Sequence, residues 1–246
     1  MSAAYGARSG SFDIAEACCG GGSATFTVVA ESSTGGWVVV NRAIQSQYGT
    51  RSTVAAAARC LSGGGVVFLP TDTVFGLAAL PSRSEAVSRI FELKARPSQK
   101  NLPVMASSVD QLVSIGAQIN DRVRRLTSSP FCPGPLSIAV GLDERLTPNW
   151  LRGRDELAFR IPKDEFLLAV LDEVGPLLVT SANRSGEGTA RTVEDAISQL
   201  SGHPDLVIGG RECETVPSTL VNCRFSPPVI ERIGAISSDE LGPYVA

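Results

Sequence analysis

The stretch Ser62-Gly63-Gly64-Gly65-Val66-Val67-Phe68-Leu69-Pro70-Thr71-Asp72-Thr73-Val74-Phe75-Gly76-Leu77 decides how this chain is read. Its glycines close the alanine-rich segment Ser52 to Leu61, which reads as a helix. Val66 to Leu69 is then a short continuous apolar run, the pattern of a buried strand. Hydroxyls and a carboxylate crowd the positions after Pro70. In α/β sheets, ligands bind just outside the carboxyl ends of strands. Two threonine hydroxyls and free backbone N–H groups there would hold a small polar ligand; the competing reading is a Pro-led turn in which Thr and Asp satisfy their own backbone. The glycines are not a phosphate loop, because Val66-Val67-Phe68 follows them where a Gly-Lys-Ser/Thr ending is needed. Nor are they a dinucleotide fingerprint, because the turn precedes the strand. A nucleotide, if bound, must be held by another device.

Downstream, Ser84 to Lys94 carries apolar residues at helical spacing, with Ser84 read as N-cap. Leu102 to Ala106 reads as a strand, followed by helices near Val109 to Ile115 and Asp121 to Thr127. Further strands are expected at Leu136 to Val140, Leu157 to Ile161, Leu177 to Thr180, Leu206 to Ile208, Thr219 to Val221 and Val229 to Arg232. Helices near Glu165 to Leu171 and Val193 to Leu200 separate several of them. Strands alternating with helices predict a layered α/β fold around one mostly buried sheet. Upstream, residues 1–50 differ: they are rich in Gly, Ser, Ala and Thr, with two short apolar runs, Phe26 to Ala30 and Trp37 to Val40. These are either strands, or part of a loosely ordered extension or an organelle-targeting leader. The expected organisation is an N-terminal extension of unknown role over 1–50 and one domain over 51–246.

The 246 residues, 43% hydrophobic and 19% charged, have the composition of an ordinary globular protein. No run of about 18 apolar residues predicts a membrane span, and the N-terminus lacks the pattern of a secretory signal. Six cysteines include no C-x-x-C pair, and His203 is the single histidine, so a zinc site of usual spacing has little to build on. Reduced thiols in a cytoplasmic protein are expected. His203 lies in a turn with no nucleophile beside it in sequence, which argues against a Ser-His-Asp triad. A net charge of −3 argues against broad coating of nucleic acid, though not against a local basic groove.

Among 22 Lys and Arg only Lys94, Lys100 and Lys163 are lysines, and Lys94-Ala95-Arg96-Pro97-Ser98-Gln99-Lys100 gathers two of them with an arginine. Lys94 complements a helix dipole, but Arg96 and Lys100 lie beyond the Pro97 break. Cations converging in a loop are what a polyphosphate needs where no P-loop exists. Small polar groups recur at strand ends in Val179-Thr180-Ser181-Ala182-Asn183-Arg184-Ser185-Gly186 and Pro217-Ser218-Thr219-Leu220-Val221. Arg160 and Arg232 each end an apolar run, either as cleft residues or as caps of the sheet edge. Together these features describe a cleft of hydroxyls, an amide and cations without a nucleophile–base pair, suited to positioning anionic substrates.

The blocks at 70–77, Lys-Ala-Arg-Pro (94–97), Cys-Pro-Gly-Pro-Leu-Ser (132–137), Phe-Arg-Ile-Pro (159–162), Thr-Ser-Ala-Asn-Arg-Ser-Gly (180–186), Pro-Ser-Thr-Leu-Val (217–221) and Ile-Glu-Arg-Ile-Gly-Ala-Ile (230–236) resemble, in this order, the YrdC-like family. The resemblance implies a twisted mixed β-sheet flanked by helices, with a concave basic cleft. It implies a synthase making threonylcarbamoyl-AMP and pyrophosphate from L-threonine, bicarbonate and ATP, with Mg2+ accompanying the ATP. The product would feed a downstream threonylcarbamoyl transferase complex that modifies tRNA. Carried over residue by residue, Thr73, Arg160 and Ser181 resemble threonine contacts. Lys94, Arg96 and Lys100 resemble triphosphate ligands, with Lys94 and Arg96 the catalytic pair, and Asn183, Ser218 and Arg232 lie on the nucleotide side. The chain resembles the short form of the family, without an extra C-terminal domain.

It departs from the family pattern at Phe75, where Tyr is usual, at Asn101 and Ile233, where Pro is common, and by lacking a His after the Arg-x-Pro block. Two other functions compete. One is a non-catalytic relative that binds tRNA or double-stranded RNA in the same cleft, which the retained cations and acidic pI near 5.3 oppose. The other is a carbamoyl-adenylate-forming enzyme with a different acceptor, which Phe75 favours.

Overall fold

The computed structural model describes residues 50–97, 101–209 and 212–245, together with the backbone of 28–29 and 38–39. Lys100, Cys18, Cys19 and most of the N-terminal extension lie outside these residues. The short strands β1 (Val28–Val29) and β2 (Val38–Val39) fall inside the two apolar runs of that extension and pair antiparallel.

Helix α1 (Arg51–Ser62) starts where the Thr50 hydroxyl accepts the Thr53 N–H at 3.4 Å. It stops at the glycines, and β3 (Val67–Leu69) follows. The chain returns antiparallel as β4 (Gly76–Ala79), a strand the sequence pattern does not announce. Helix α2 (Ser84–Leu93) follows; its N-cap is Arg83, without a side-chain hydrogen bond, so Ser84 is the first helical residue and not the cap. Next come β5 (Val104–Met105), α3 (Val109–Ser114), α4 (Asp121–Thr127), β6 (Leu136–Gly141) and β7 (Glu156–Arg160). Helix α5 (Glu165–Val174), β8 (Leu177–Ser181), α6 (Val193–Ser198), β9 (Leu206–Val207), β10 (Thr219–Asn222), β11 (Val229–Arg232) and α7 (Ser238–Val245) complete the described chain.

The main sheet has nine strands in the order β11-β10-β6-β7-β5-β8-β4-β3-β9. It is mixed: β10–β6, β5–β7 and β3–β9 run parallel, and the other neighbours antiparallel. Alternation along the strands sorts side chains into two cores. Val66, Phe68, Leu77, Val104, Ile138, Phe159, Leu178 and Val221 join one cluster with residues of α2, α3, α4 and α7. Val67, Leu69, Ala78, Met105, Leu177 and Val179 join the other with Ala57 and Leu61 of α1 and Phe166, Leu167, Val170 and Leu171 of α5. Each fully buried Leu or Phe contributes about 1.5–3 kcal/mol by leaving water.

The second cluster takes no residue from β6, β7 or β10. On that stretch of the sheet the positions alternating with Ile138, Phe159 and Val221 are Ser137, Ala158, Arg160 and Leu220, and they line a cavity. The residues of α1 and α5 in the second cluster thus pack on the other strands, and Ser137, Ala158, Arg160 and Leu220 border a concavity. Among the described residues no helix is long and apolar enough to cross a membrane. Cys60, Cys132, Cys213 and Cys223 are free thiols, and burial pushes those of Cys60, Cys132 and Cys223 up to about 11.

Candidate anion-binding cleft

The cavity has a volume of about 320 Å³. It brings together Thr73, Arg96, Arg160, Ser181, Ser218 and Arg232, which lie far apart in sequence. Lys94 and Asn183 sit behind this lining. Lys100 falls among the undescribed residues.

The loop after β3 combines both readings of its sequence. Thr71 is a turn residue: its hydroxyl donates to the Val74 carbonyl at 2.7 Å and accepts the N–H groups of Thr73 and Val74 at 3.1 and 3.2 Å. Thr73 and Asp72 instead face Arg160. The Arg160 guanidinium donates from Nη1 to Thr73 Oγ1 at 2.7 Å, from Nη2 to Asp72 Oδ1 at 2.5 Å and from Nε to the Gly134 carbonyl at 2.9 Å. Arg160 thus sits inside the sheet, between β5 and β6, and does not cap its edge. The second carboxylate oxygen, Asp72 Oδ2, is buried with no hydrogen-bond partner among the described residues.

Lys94 is the C-cap residue of α2 and is 2% exposed, and its ammonium is engaged by the loop after β8. Its Nζ donates to the carbonyls of Ser181 and Asn183, the latter at 2.6 Å, and to Asn183 Oδ1 at 3.3 Å. Burial, helped by the nearby Arg96 charge, pushes its pKa down to about 8. The Ser181 hydroxyl also donates to Asn183 Oδ1, and Asn183 Nδ2 holds the carbonyls of Arg184 and Glu187 at 3.0 and 2.6 Å. Lys94 and Asn183 together clamp the loop that presents Ser181.

Lys94 points inward and Arg96 to the cavity because α2 ends in a tight turn. Ala95 sits at φ 47°, while the Arg96 N–H reaches the Phe91 carbonyl at 2.9 Å and the Ala95 N–H that of Glu92 at 3.0 Å. Arg96 Nη2 donates to the Asn101 carbonyl at 3.1 Å, and burial pulls its pKa down.

Across the sheet, Arg232 on the edge strand β11 donates from Nε and Nη2 to the Ser218 carbonyl at 3.1 and 2.9 Å, and from Nη2 to Ser218 Oγ at 3.1 Å. Ser218 Oγ lies 2.7 Å from Ser137 Oγ. Gly234 permits this arrangement, since a Cβ there would stand 2.2 Å from the Pro217 carbonyl oxygen. Burial, followed by the Arg160 charge, lowers the Arg232 pKa.

Ser137, Arg154 and Glu156 also line the cavity, although none of them was expected as a site residue. Ser137 ends the quoted Cys-Pro-Gly-Pro-Leu-Ser block, so a signal for it exists; Arg154 lies in a loop without one. Phe75 also borders the cavity. It is 2% exposed and stacks on Phe68 with ring centroids 5.0 Å apart, inside the first core. Its carbonyl accepts the Ala182 N–H at 2.7 Å.

A mixed sheet with a concavity that gathers Arg96, Arg154, Arg160 and Arg232 defines an α/β protein with a basic cleft. The chain belongs to the Sua5–YciO–YrdC family, described as "Telomere recombination", whose pattern matches residues 59–234. It is similar to the threonylcarbamoyl-AMP synthase of Bacillus subtilis (strain 168), 32% identical over 191 residues covering 76% of this chain and 55% of that protein. To the enzyme of that name from Pseudoalteromonas translucida it is 35% identical over 179 residues, 69% of this chain and 92% of the relative. The chain therefore spans about half the length of the Bacillus protein and nearly all of the Pseudoalteromonas one. Pyrococcus abyssi Sua5, whose crystal structure is complexed with L-threonine, superposes with a TM-score of 0.72 at 29% identity, over 84% of this chain and 59% of that one. The expected twisted mixed sheet flanked by helices is the fold observed.

Proposed function

We propose that the chain is an L-threonylcarbamoyladenylate synthase, a nucleotidyltransferase that makes threonylcarbamoyl-AMP and pyrophosphate from L-threonine, bicarbonate and ATP. The observation that carries this reading is that the Thr73–Arg160–Ser181 group and the Arg96–Ser218–Arg232 group meet in one cavity of about 320 Å³. The relatives' name and the threonine complex of the Pyrococcus protein support it.

In this reading the amino acid lies against Thr73, Arg160 and Ser181. Bicarbonate captures its amine as a carbamate, and a carbamate oxygen attacks the α-phosphate of ATP while pyrophosphate leaves. Arg96 and Arg232 neutralise charge that builds on the phosphoryl oxygens, and Ser218 orients the nucleotide. Lys94 and Asn183 act by fixing the Ser181 loop beside the reacting atoms, and Lys100 adds a further triphosphate contact. Among the described residues no three His, Cys, Asp or Glu side chains group to hold a metal. Mg2+ would accompany the ATP and supply charge neutralisation on its phosphates. The product is an activated carbamoyl that a downstream transferase passes to tRNA, in a cytoplasmic setting that suits free thiols.

Pyrophosphate release from ATP and bicarbonate, measured with and without L-threonine, tests this reading. Threonine-dependent release that falls at least about 100-fold in Arg96→Ala is expected, on the scale of losing a charge-stabilising donor. Release with another amino acid but not threonine would replace the acceptor. No release with any amino acid would leave an RNA-binding or other non-catalytic role.

A further inference from the structure

A second cavity, of about 250 Å³, shares no lining residue with the cleft. Asn120, Arg122, Gly141, Cys223 and Arg224 are among the residues that line it. Its place follows from the sheet. Strands β6 and β10 run parallel with Asn222 beside Ala139, and the Cys223 N–H reaches the Ala139 carbonyl at 2.9 Å. Gly141 ends β6, while Cys223 and Arg224 follow β10, so the cavity lies at the carboxyl ends of two parallel neighbours. Ligands of α/β sheets collect at such ends, where the strands give way to loops whose side chains converge.

The lining is cationic. Arg122 comes from the first turn of α4 and Arg224 from the turn after β10, and no Asp or Glu lines this cavity among the described residues. Arg122 donates from Nη2 to Ser226 Oγ at 2.6 Å, and Arg224 from Nη1 to Glu156 Oε2 at 2.7 Å. A guanidinium has more N–H donors than one such bond uses, so both keep donors for a ligand. Asn120 Oδ1 accepts the Val123 N–H at 3.0 Å, which leaves its Nδ2 as a further donor. Carboxylates on the adjoining segments are engaged: Glu156 by Arg224, Glu231 by Asn222 Nδ2 at 2.7 Å, and Asp143 by the Arg145 N–H at 3.0 Å. The Arg122 charge also works against the burial that raises the Cys223 thiol, which sets that charge close to the cavity wall.

We propose that this cavity is a second anion site, separate from the cleft, in which Arg122, Arg224 and Asn120 Nδ2 hold a phosphate group. A tetrahedral phosphate accepts from two guanidiniums that approach from different elements, whereas a flat carboxylate matches a single fork. Two cations on one cavity without a carboxylate in its lining repel each other, and a bound anion removes that cost. The Arg224–Glu156 bridge does not prevent binding. It is a partly exposed pair, 37% and 40%, of the kind that contributes little, and it leaves Arg224 Nε and Nη2 for the ligand. The site does not depend on the synthase reading. Inorganic phosphate and the backbone phosphate of an RNA strand offer the same chemistry to it.

Backbone amide shifts in heteronuclear NMR, followed as inorganic phosphate is titrated into the full chain, test the proposal. Saturable shifts at Gly141, Cys223 and Arg224 are expected. Their Kd should rise about 10-fold or more in Arg122→Gln, the scale of a lost charge-assisted hydrogen bond. Arg122→Lys should recover part of the affinity, which a loss of folding would not allow. Arg154→Gln, in the other cavity, should leave this Kd within about twofold. A short single-stranded RNA then separates the two sources. Shifts of the same amides by RNA, reversed by phosphate, assign the site to a nucleic-acid phosphate; shifts by phosphate alone assign it to a free one. No saturable shift at these amides, shifts confined to cleft residues such as Thr73 and Arg160, or an equal Kd in the unmodified chain and Arg122→Gln each overturn the proposal.

Discussion

The two ends of the cavity hold the same side chain in opposite states. At one end Arg160 is buried with its donors engaged by Gly134, Thr73 and Asp72. At the other, Arg154 carries an equally permanent charge with no acceptor among the described residues. The first arginine is part of the wall: its desolvation is offset inside the chain, and it presents Thr73 in a fixed direction. The second faces the cavity without such an internal partner among the described residues. A basic cleft therefore divides by internal partners into charges that shape the pocket and charges left open to it.

Removing each arginine should break or confirm this contrast. Arg160→Ala strands Asp72, whose side chain is 11% exposed and already has one oxygen without a partner. A loss of about 3–5 kcal/mol in urea unfolding is expected, the usual consequence of removing one member of a buried pair. Asp72→Asn, which keeps an acceptor for Arg160, should cost about 1–2 kcal/mol. Arg154→Gln should shift stability by less than about 0.5 kcal/mol, because no internal interaction is lost. Equal destabilisation by Arg160→Ala and Arg154→Gln would erase the distinction between wall and open charge.

The engaged end was far more legible in the sequence than the open one. The apolar run Val66 to Leu69 and the polar crowd after it announced a strand with a site at its end, and Thr73 and Ser181 followed from the same pattern. Strand β4 was not legible because Gly76, Ala78 and Ala79 carry no β-branched or aromatic side chain. Its smallness has a physical reason: a Cβ on Gly76 would meet Val179 Cγ1 at 2.9 Å, so β4 is thin where β8 packs against it. Arg154 was hidden because nothing local marks it; only the sheet register carries it to the cavity. Lys94 was legible as a cation, but its direction was not, since that depends on one residue of turn geometry after α2.

Lys94 sharpens the comparison as a buried cation that the chain itself satisfies. Lys94→Met should destabilise by about 2–3 kcal/mol at pH 7 by leaving the Ser181 and Asn183 carbonyls without a donor. The pH dependence has a definite sign. The folded pKa, near 8, lies below the ordinary 10.5, so between these values the unfolded chain holds the proton more tightly. Stability of the parent relative to Lys94→Met therefore rises with pH through that window, by at most about 1.4 kcal/mol per pH unit for one proton. The thiols raised to about 11 work the other way above pH 9, but both proteins share them and they cancel in the difference. A gap that stays constant from pH 7 to 10 would mean that Lys94 is not desolvated in solution.

A small effect is also expected at the residue that sends Lys94 to one state and Arg96 to the other. Ala95 occupies φ 47°, where a Cβ costs roughly 1–2 kcal/mol and glycine nothing. Glycine in turn adds about 0.4–1 kcal/mol of unfolded-chain freedom to be lost on folding. The two terms nearly cancel, so Ala95→Gly should change stability by less than about 1 kcal/mol, with stabilisation the favoured direction. Pyrophosphate release should stay within about twofold, because the Phe91 and Glu92 carbonyls still fix the turn through backbone N–H groups. A 10-fold loss of activity at unchanged stability would mean that the alanine methyl, and not the turn alone, holds Arg96 toward the cavity. The division of the two cations would then depend on packing as well as on backbone.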